Sequence, residues 1–185
     1  MKAASNSVDG AINELSKDMG VESPVDKAQA KPAANPAASS PRPQSAAINN
    51  EKKQRLQPKF DKIKIKVEVA KEKAQVEFKK GAYAESVKLY KNAAEILEIA
   101  YEDFGVFKKE IAQLEAAIFG NIAFCYGKDQ QDRMQIEYCT KVLDRSPYIE
   151  DVNMLVKAYL RRGLAYESTE KYKAAINDLT RVREL

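Results

Sequence analysis

Lys157-Ala158-Tyr159-Leu160-Arg161-Arg162-Gly163 leads to Tyr166, and Glu170-Lys171-Tyr172-Lys173-Ala174-Ala175-Ile176 follows after a short polar break. This stretch decides the fold. Ser168-Thr169-Glu170 separates two helical segments of roughly four turns each. The same arrangement occurs twice upstream. Gly81 interrupts a helical pattern that restarts at Ala82-Tyr83, and Gly127-Lys128-Asp129 precedes another helix start. Helix, short turn, helix, three times over, is the pattern of an α-solenoid.

The copies overlay. Gly81-Ala82-Tyr83-Ala84-Glu85-Ser86-Val87 falls on Glu170 to Ile176, pairing Tyr83 with Tyr172, Ser86 with Ala175 and Val87 with Ile176. Ile136 of the middle copy takes the Val87 position. In the preceding helices Ala74, Ala123 and Gly163 share one small-residue position, and Tyr126 and Tyr166 share another three residues later. Small residues let the two helices of a unit approach closely, and aromatics fill the gaps between units.

These residues carry a resemblance to the tetratricopeptide repeat, a unit of about 34 residues. The third copy shows it in Tyr159, Gly163, Tyr166, Tyr172, Ala175 and Val182. The second has Phe119, Ala123, Tyr126, Val142 and Pro147, and the first has Ala70, Ala74, Phe78, Gly81, Tyr83, Tyr90 and Ala93. The resemblance covers about residues 57–185 and implies an all-α solenoid of three units, near 67–110, 115–148 and 152–185. Ala74 to Ala123 spans 49 residues and Ala123 to Gly163 spans 40, excesses of about 15 and 6 over the usual unit. The first excess, around Ile99 to Ile111, holds Phe104 and Phe107 with Leu97 beside it, and is expected to form longer paired helices. The second lies at Tyr148–Met154. The helical pattern runs to Glu184-Leu185 with no amphipathic capping helix after it. A continuation of the chain, a partner or a second copy is therefore expected to cover the last unit.

Five of the seven prolines lie between Pro24 and Pro43, in a stretch of Ala, Ser and Lys with almost no large apolar residue. Residues 21–50 are accordingly expected to be a disordered linker ahead of a repeat domain at 51–185. In the first twenty residues Val8, Ile12, Leu15 and Met19 form one apolar stripe of a short amphipathic helix. Such a helix is too short to be stable alone, so it reads as a transient helix in a flexible tail or, more sharply, as a docking helix that folds on a partner.

Composition excludes much chemistry. The 185 residues contain no His, which removes the commonest general base and metal ligand, and no catalytic constellation is visible, so neither enzyme activity nor a cofactor is expected. The 31 basic and 27 acidic residues are interspersed, unlike the basic patch of a nucleic-acid binder. No apolar run is long enough for a membrane span. Cys125 and Cys139, without a Cys-x-x-Cys pair, read as buried core thiols in a reducing, cytoplasmic setting.

Five polar side chains stand out against this background: Lys71, Gln75, Asn121, Lys157 and Arg161. Lys71 and Gln75 are four apart, as are Lys157 and Arg161, so each pair shares a helix face. All five fall on first helices, which in such solenoids line the concave wall. One group of tetratricopeptide co-chaperones carries a two-carboxylate clamp there, and Lys71-Glu72-Lys73-Ala74-Gln75, Gly120-Asn121-Ile122-Ala123 and Lys157 to Gly163 resemble its three segments. Gln75 departs from the pattern, where Asn is expected, and its extra methylene moves the amide. The resemblance implies an adaptor for the acidic Glu-Glu-Val-Asp tail of the seventy- and ninety-kilodalton heat-shock chaperones. Two other functions fit the same repeats: a structural scaffold in a ciliary, cytoskeletal or import assembly, and the adaptor part of a longer chain that carries an enzyme. Arg162 is read as packing or framing the groove, and Tyr159 and Phe119 as core.

Overall fold

A computed structural model describes residues 43–185, with side chains from Ile48 onward. The Val8–Met19 stripe and the linker through residue 42 lie outside the described residues. Six α-helices follow in order: α1 Pro43–Lys79, α2 Tyr83–Asp103, α3 Lys108–Lys128, α4 Asp132–Leu143, α5 Val152–Ser168 and α6 Tyr172–Glu184. Each packs on the next, and α3 also touches α5. The fold is the expected all-α solenoid of three helix–turn–helix units.

The turns show why the overlay works. Gly81, Gln130 and Glu170 all adopt left-handed backbone, with φ of 80°, 56° and 60°. Behind each, an amide reaches back five residues: Ala82 to Glu77 at 3.0 Å, Gln131 to Tyr126 at 2.9 Å and Lys171 to Tyr166 at 2.8 Å. This is the Schellman closure, which satisfies the last helical carbonyls and turns the chain. The three turn residues have the same 49- and 40-residue separations as the small-residue positions, so one register runs through turns and packing alike. Ala74 and Ala123 are wholly buried. Gly163 is held small by its neighbour, since a Cβ there would stand 3.2 Å from the Leu179 side chain.

The first helix differs from the expected boundary. It begins at Pro43, inside the stretch read as linker, and continues through Pro58 to Lys79 over 37 residues. A proline is harmless at the first helical position, whereas Pro58 gives up the amide bond to the carbonyl of Gln54. Packing offsets that loss. Leu56, Phe60, Ile63 and Val67 recur at helical spacing and join the main core. Their partners come from the first excess: Phe60 stacks on Phe107 at 4.3 Å and meets Phe104 at 6.0 Å. The excess thus forms longer paired helices, with α2 continuing to Asp103 and a short 3-10 turn at Gly105–Phe107. Ile99, however, points out and is exposed. The second excess adds no helix. It is a connection in which a 3-10 turn at Ser146–Tyr148 is followed by extended backbone, and Asp151 caps α5 by accepting from the Asn153 amide at 3.0 Å.

Cys125 and Cys139 are buried and free, as their core reading expects. Tyr159 and Phe119 are half-buried and pack against a second, smaller cluster of Ala116, Val142, Leu143 and Ala158. Arg162 ties helices together. Its guanidinium donates to both carboxylate oxygens of buried Asp178 on α6, at 2.7 and 2.8 Å, and to the Thr140 hydroxyl on α4 at 3.0 Å.

Candidate functional site

α1, α3 and α5 are the first helices of the three units, and between them lies a cavity of about 260 Å³. Lys71 and Gln75 from α1, Asn121 from α3, and Lys157 and Arg161 from α5 all line it. Side chains that span 91 positions of sequence therefore meet in one concavity. The repeat register explains why: each first helix presents the face next to its buried small residue toward the same wall. Ala117 and Gly120 keep α3 thin there and leave space between the flanking helices.

The cations are not equivalent. Lys71 is tucked in, with a side chain 15% exposed, and its ammonium pairs with Glu68 one turn earlier at 2.7 Å. Lys157 is exposed and belongs to none of the ion pairs among the described residues. Arg161 is half-buried; it donates from Nη1 to the Gly120 carbonyl at 2.9 Å and lies 4.7 Å over the Phe124 ring. Its own backbone carbonyl accepts from the Gln135 amide at 3.1 Å. Burial pushes the guanidinium pKa down from its ordinary value, against the pull of the Cys139 and Cys125 thiols, but Arg remains charged. Since a guanidinium has five N–H groups, the bond to Gly120 fixes its direction and leaves donors for a ligand.

Asp151 and Met154 are among the lining residues that carried no sequence signal as site residues. Asp151 brings a carboxylate to the rim, committed to capping α5, and Met154 adds an apolar, adaptable side chain. A cap pattern before Val152 marks Asp151 as a helix start, though not as a groove residue. With three cations against one carboxylate, the cavity favours anions. Its amide and guanidinium donors suit planar carboxylates. Among the described residues no group of His, Cys, Asp and Glu could hold a metal ion, and no helix is long and apolar enough to cross a membrane.

Fold and cavity together define a helical-repeat scaffold with a cationic pocket on its concave wall. The chain is similar to human mitochondrial import receptor subunit TOM34, with 32% identity over 108 residues, 58% of this chain and 31% of that protein. The rat protein of the same name is 29% identical over 124 residues, 67% of this chain and 36% of that one. Human sperm-associated antigen 1 is 31% identical over 108 residues, 58% of this chain and 10% of that protein. The chain spans about a third of the length of the TOM34 proteins and about a tenth of the antigen. No family model matches it.

Proposed function

We propose that the chain is a tetratricopeptide-type adaptor that holds the acidic C-terminus of a partner protein in the α1–α3–α5 cavity, through a two-carboxylate clamp. One observation carries this: five side chains chosen from sequence register line a single concavity. Lys71, Asn121 and Gln75 bind the main-chain carboxylate of the last residue. Lys157 takes the side-chain acid of a terminal Asp, and Arg161, braced on Gly120, holds the peptide backbone or a preceding acid. The partner is the Glu-Glu-Val-Asp tail of the heat-shock chaperones, which places the adaptor in the cytoplasm. The name of TOM34 describes a receptor subunit, which agrees with a binding rather than a catalytic role.

Each charge-assisted bond contributes about 1.5–3 kcal/mol, and a few of them, less the cost of ordering a peptide end, give roughly micromolar affinity. The Lys71–Glu68 pair is exposed on the Glu68 side, so the ammonium can add a second carboxylate without crossing a buried barrier. Binding weakens as salt rises. The test is a fluorescence titration with an acidic-tail peptide as the free acid and as its C-terminal amide. The free acid is expected to bind at least about tenfold tighter, and Lys157→Ala with Arg161→Ala to abolish binding of both. Equal affinity for acid and amide would leave the scaffold reading standing instead.

A further inference from the structure

A larger cavity, about 840 Å³, lies on a different wall, between α2, α3 and the end of α4. Its α2 side presents Lys91, Glu95, Glu98 and Glu102 at spacings of four, three and four, one face of a helix about 17 Å long. Opposite stand Lys141, Asp144 and Arg145, with Tyr148 closing one end and Phe119 on the floor. The wall exists because α2 has 21 residues where α4 has 12. Tyr101, Glu102 and Lys108 belong to the long first excess, a feature the clamp does not use.

The charges in this groove are partnered unequally. Arg145 is tied to Glu115 at 2.7 Å and lies 4.7 Å over Phe119. Lys141 pairs with Glu137 at 2.8 Å and sits 4.4 Å over Tyr138. Lys108 rests against Tyr101 and Tyr148, and Lys91 against Tyr126 and Tyr138. In contrast, Glu95, Glu98, Glu102 and Asp144 take part in none of the ion pairs among the described residues. Of the groove's four cations Lys141 and Arg145 are in ion pairs and Lys91 and Lys108 rest on rings, while four of its five carboxylates have no ion-pair partner among the described residues. Tyr101 and Tyr148 lie beside them, with Lys108 over both rings.

We propose that this groove is a second docking site, for a lysine- or arginine-bearing polypeptide segment about three helical turns long. Its basic side chains pair with Glu95, Glu98, Glu102 and Asp144, which line the groove without ion-pair partners. The α1–α3–α5 cavity is lined by three cations and one carboxylate, whereas this groove is lined by four cations and five carboxylates, four of the latter without an ion pair. The second site does not depend on the clamp reading. Nucleic acid is disfavoured by the same carboxylates.

The experiment is fluorescence anisotropy on the full chain with two labelled helical peptides of about four turns, one carrying Lys on one face and the other Glu at the same positions. The Lys peptide is expected to bind, the Glu peptide to stay free of this site, and added salt to weaken the complex. Glu98→Lys with Glu102→Lys is expected to weaken the Lys peptide at least about tenfold, and the uncharged Glu98→Gln with Glu102→Gln to weaken it less. All four substitutions keep good helix formers on an exposed face, and circular dichroism checks that the fold persists. Lys157→Ala with Arg161→Ala is expected to leave Lys-peptide binding unchanged. Equal binding of the two peptides, no binding of either, or indifference to both α2 variants would overturn the proposal.

Discussion

Cys139 shows how much a single buried group contributes here. It lies on α4 facing α5, almost wholly out of solvent, and burial pushes its thiol from the ordinary 9.0 to about 12, with Arg161 and Arg162 pulling the other way. Tyr90 is raised from 10.0 to about 12, also mainly by burial. Both groups are neutral when protonated, and in both the folded pKa lies above the unfolded one. Their stabilisation is complete below the unfolded values and is lost as pH rises from about 9 toward about 12, because the unfolded chain releases its protons first. Urea midpoints are therefore expected to fall between about pH 8 and about pH 10.5, and Cys139→Ala to flatten that fall even though it lowers stability at neutral pH. An unchanged slope in the variant would place the alkaline loss elsewhere. At this scale the sequence was generous about charge and silent about direction. Four-residue spacing put Lys71 with Gln75 and Lys157 with Arg161 on one helix face each, the repeat register added Asn121, and all five line one cavity. The bond from Arg161 to the Gly120 carbonyl was not legible, since it depends on the distance between two helices 41 residues apart in sequence. Asp151 was readable as a cap, yet nothing local says that a cap will stand on a groove rim.

Among the elements, α6 depends on one polar lock. Asp178 is buried, and Arg162 on α5 meets it with two hydrogen bonds while a third goes to Thr140 on α4. Asp178 in turn holds the Arg162 guanidinium more firmly in its charged form. Removing one member strands the other in a dry place, which costs about 3–5 kcal/mol in buried pairs. Asp178→Ala is therefore expected to shift the urea midpoint strongly downward, with the slope unchanged, and Arg162→Met in the Asp178→Leu background to restore much of it. A loss in the double variant as large as in the single one would mean that the pair does more than satisfy itself. The small-residue positions and the aromatic register made the helix pairs and their order readable from the sequence. The length of α1 was not readable, because Pro24 to Pro43 and then Pro58 argue locally for linker and boundary. What overrides them is tertiary: Phe60 packs on Phe104 and Phe107, Val67 is buried in the same core, and the long excess in the first unit gains its meaning only from the helix upstream of it.

For the whole molecule, a solenoid makes equivalent positions experience different neighbours. Val87 on α2 and Ile176 on α6 occupy one register position, each six residues beyond the left-handed turn residue of its unit, Gly81 and Glu170, yet Val87 is 6% exposed and Ile176 is 65% exposed. The same contrast separates Tyr90, at 3%, from Leu179, at 37%. α3 covers the face of α2, and among the described residues nothing covers the face of α6. Each unit's stability combines its own packing with the interface to its neighbour, so the two positions should respond unequally to the same change. Val87→Lys forces an ammonium into the main core and is expected to unfold the first unit or cost several kcal/mol. Ile176→Lys replaces a side chain that is already in water and is expected to stay within about 0.5 kcal/mol of the parent. Thermal and urea unfolding of both variants read this directly. Equal, large losses would show that the α6 face is covered in solution, and a loss at Ile176 that grows with protein concentration would identify the cover as a second copy of the chain.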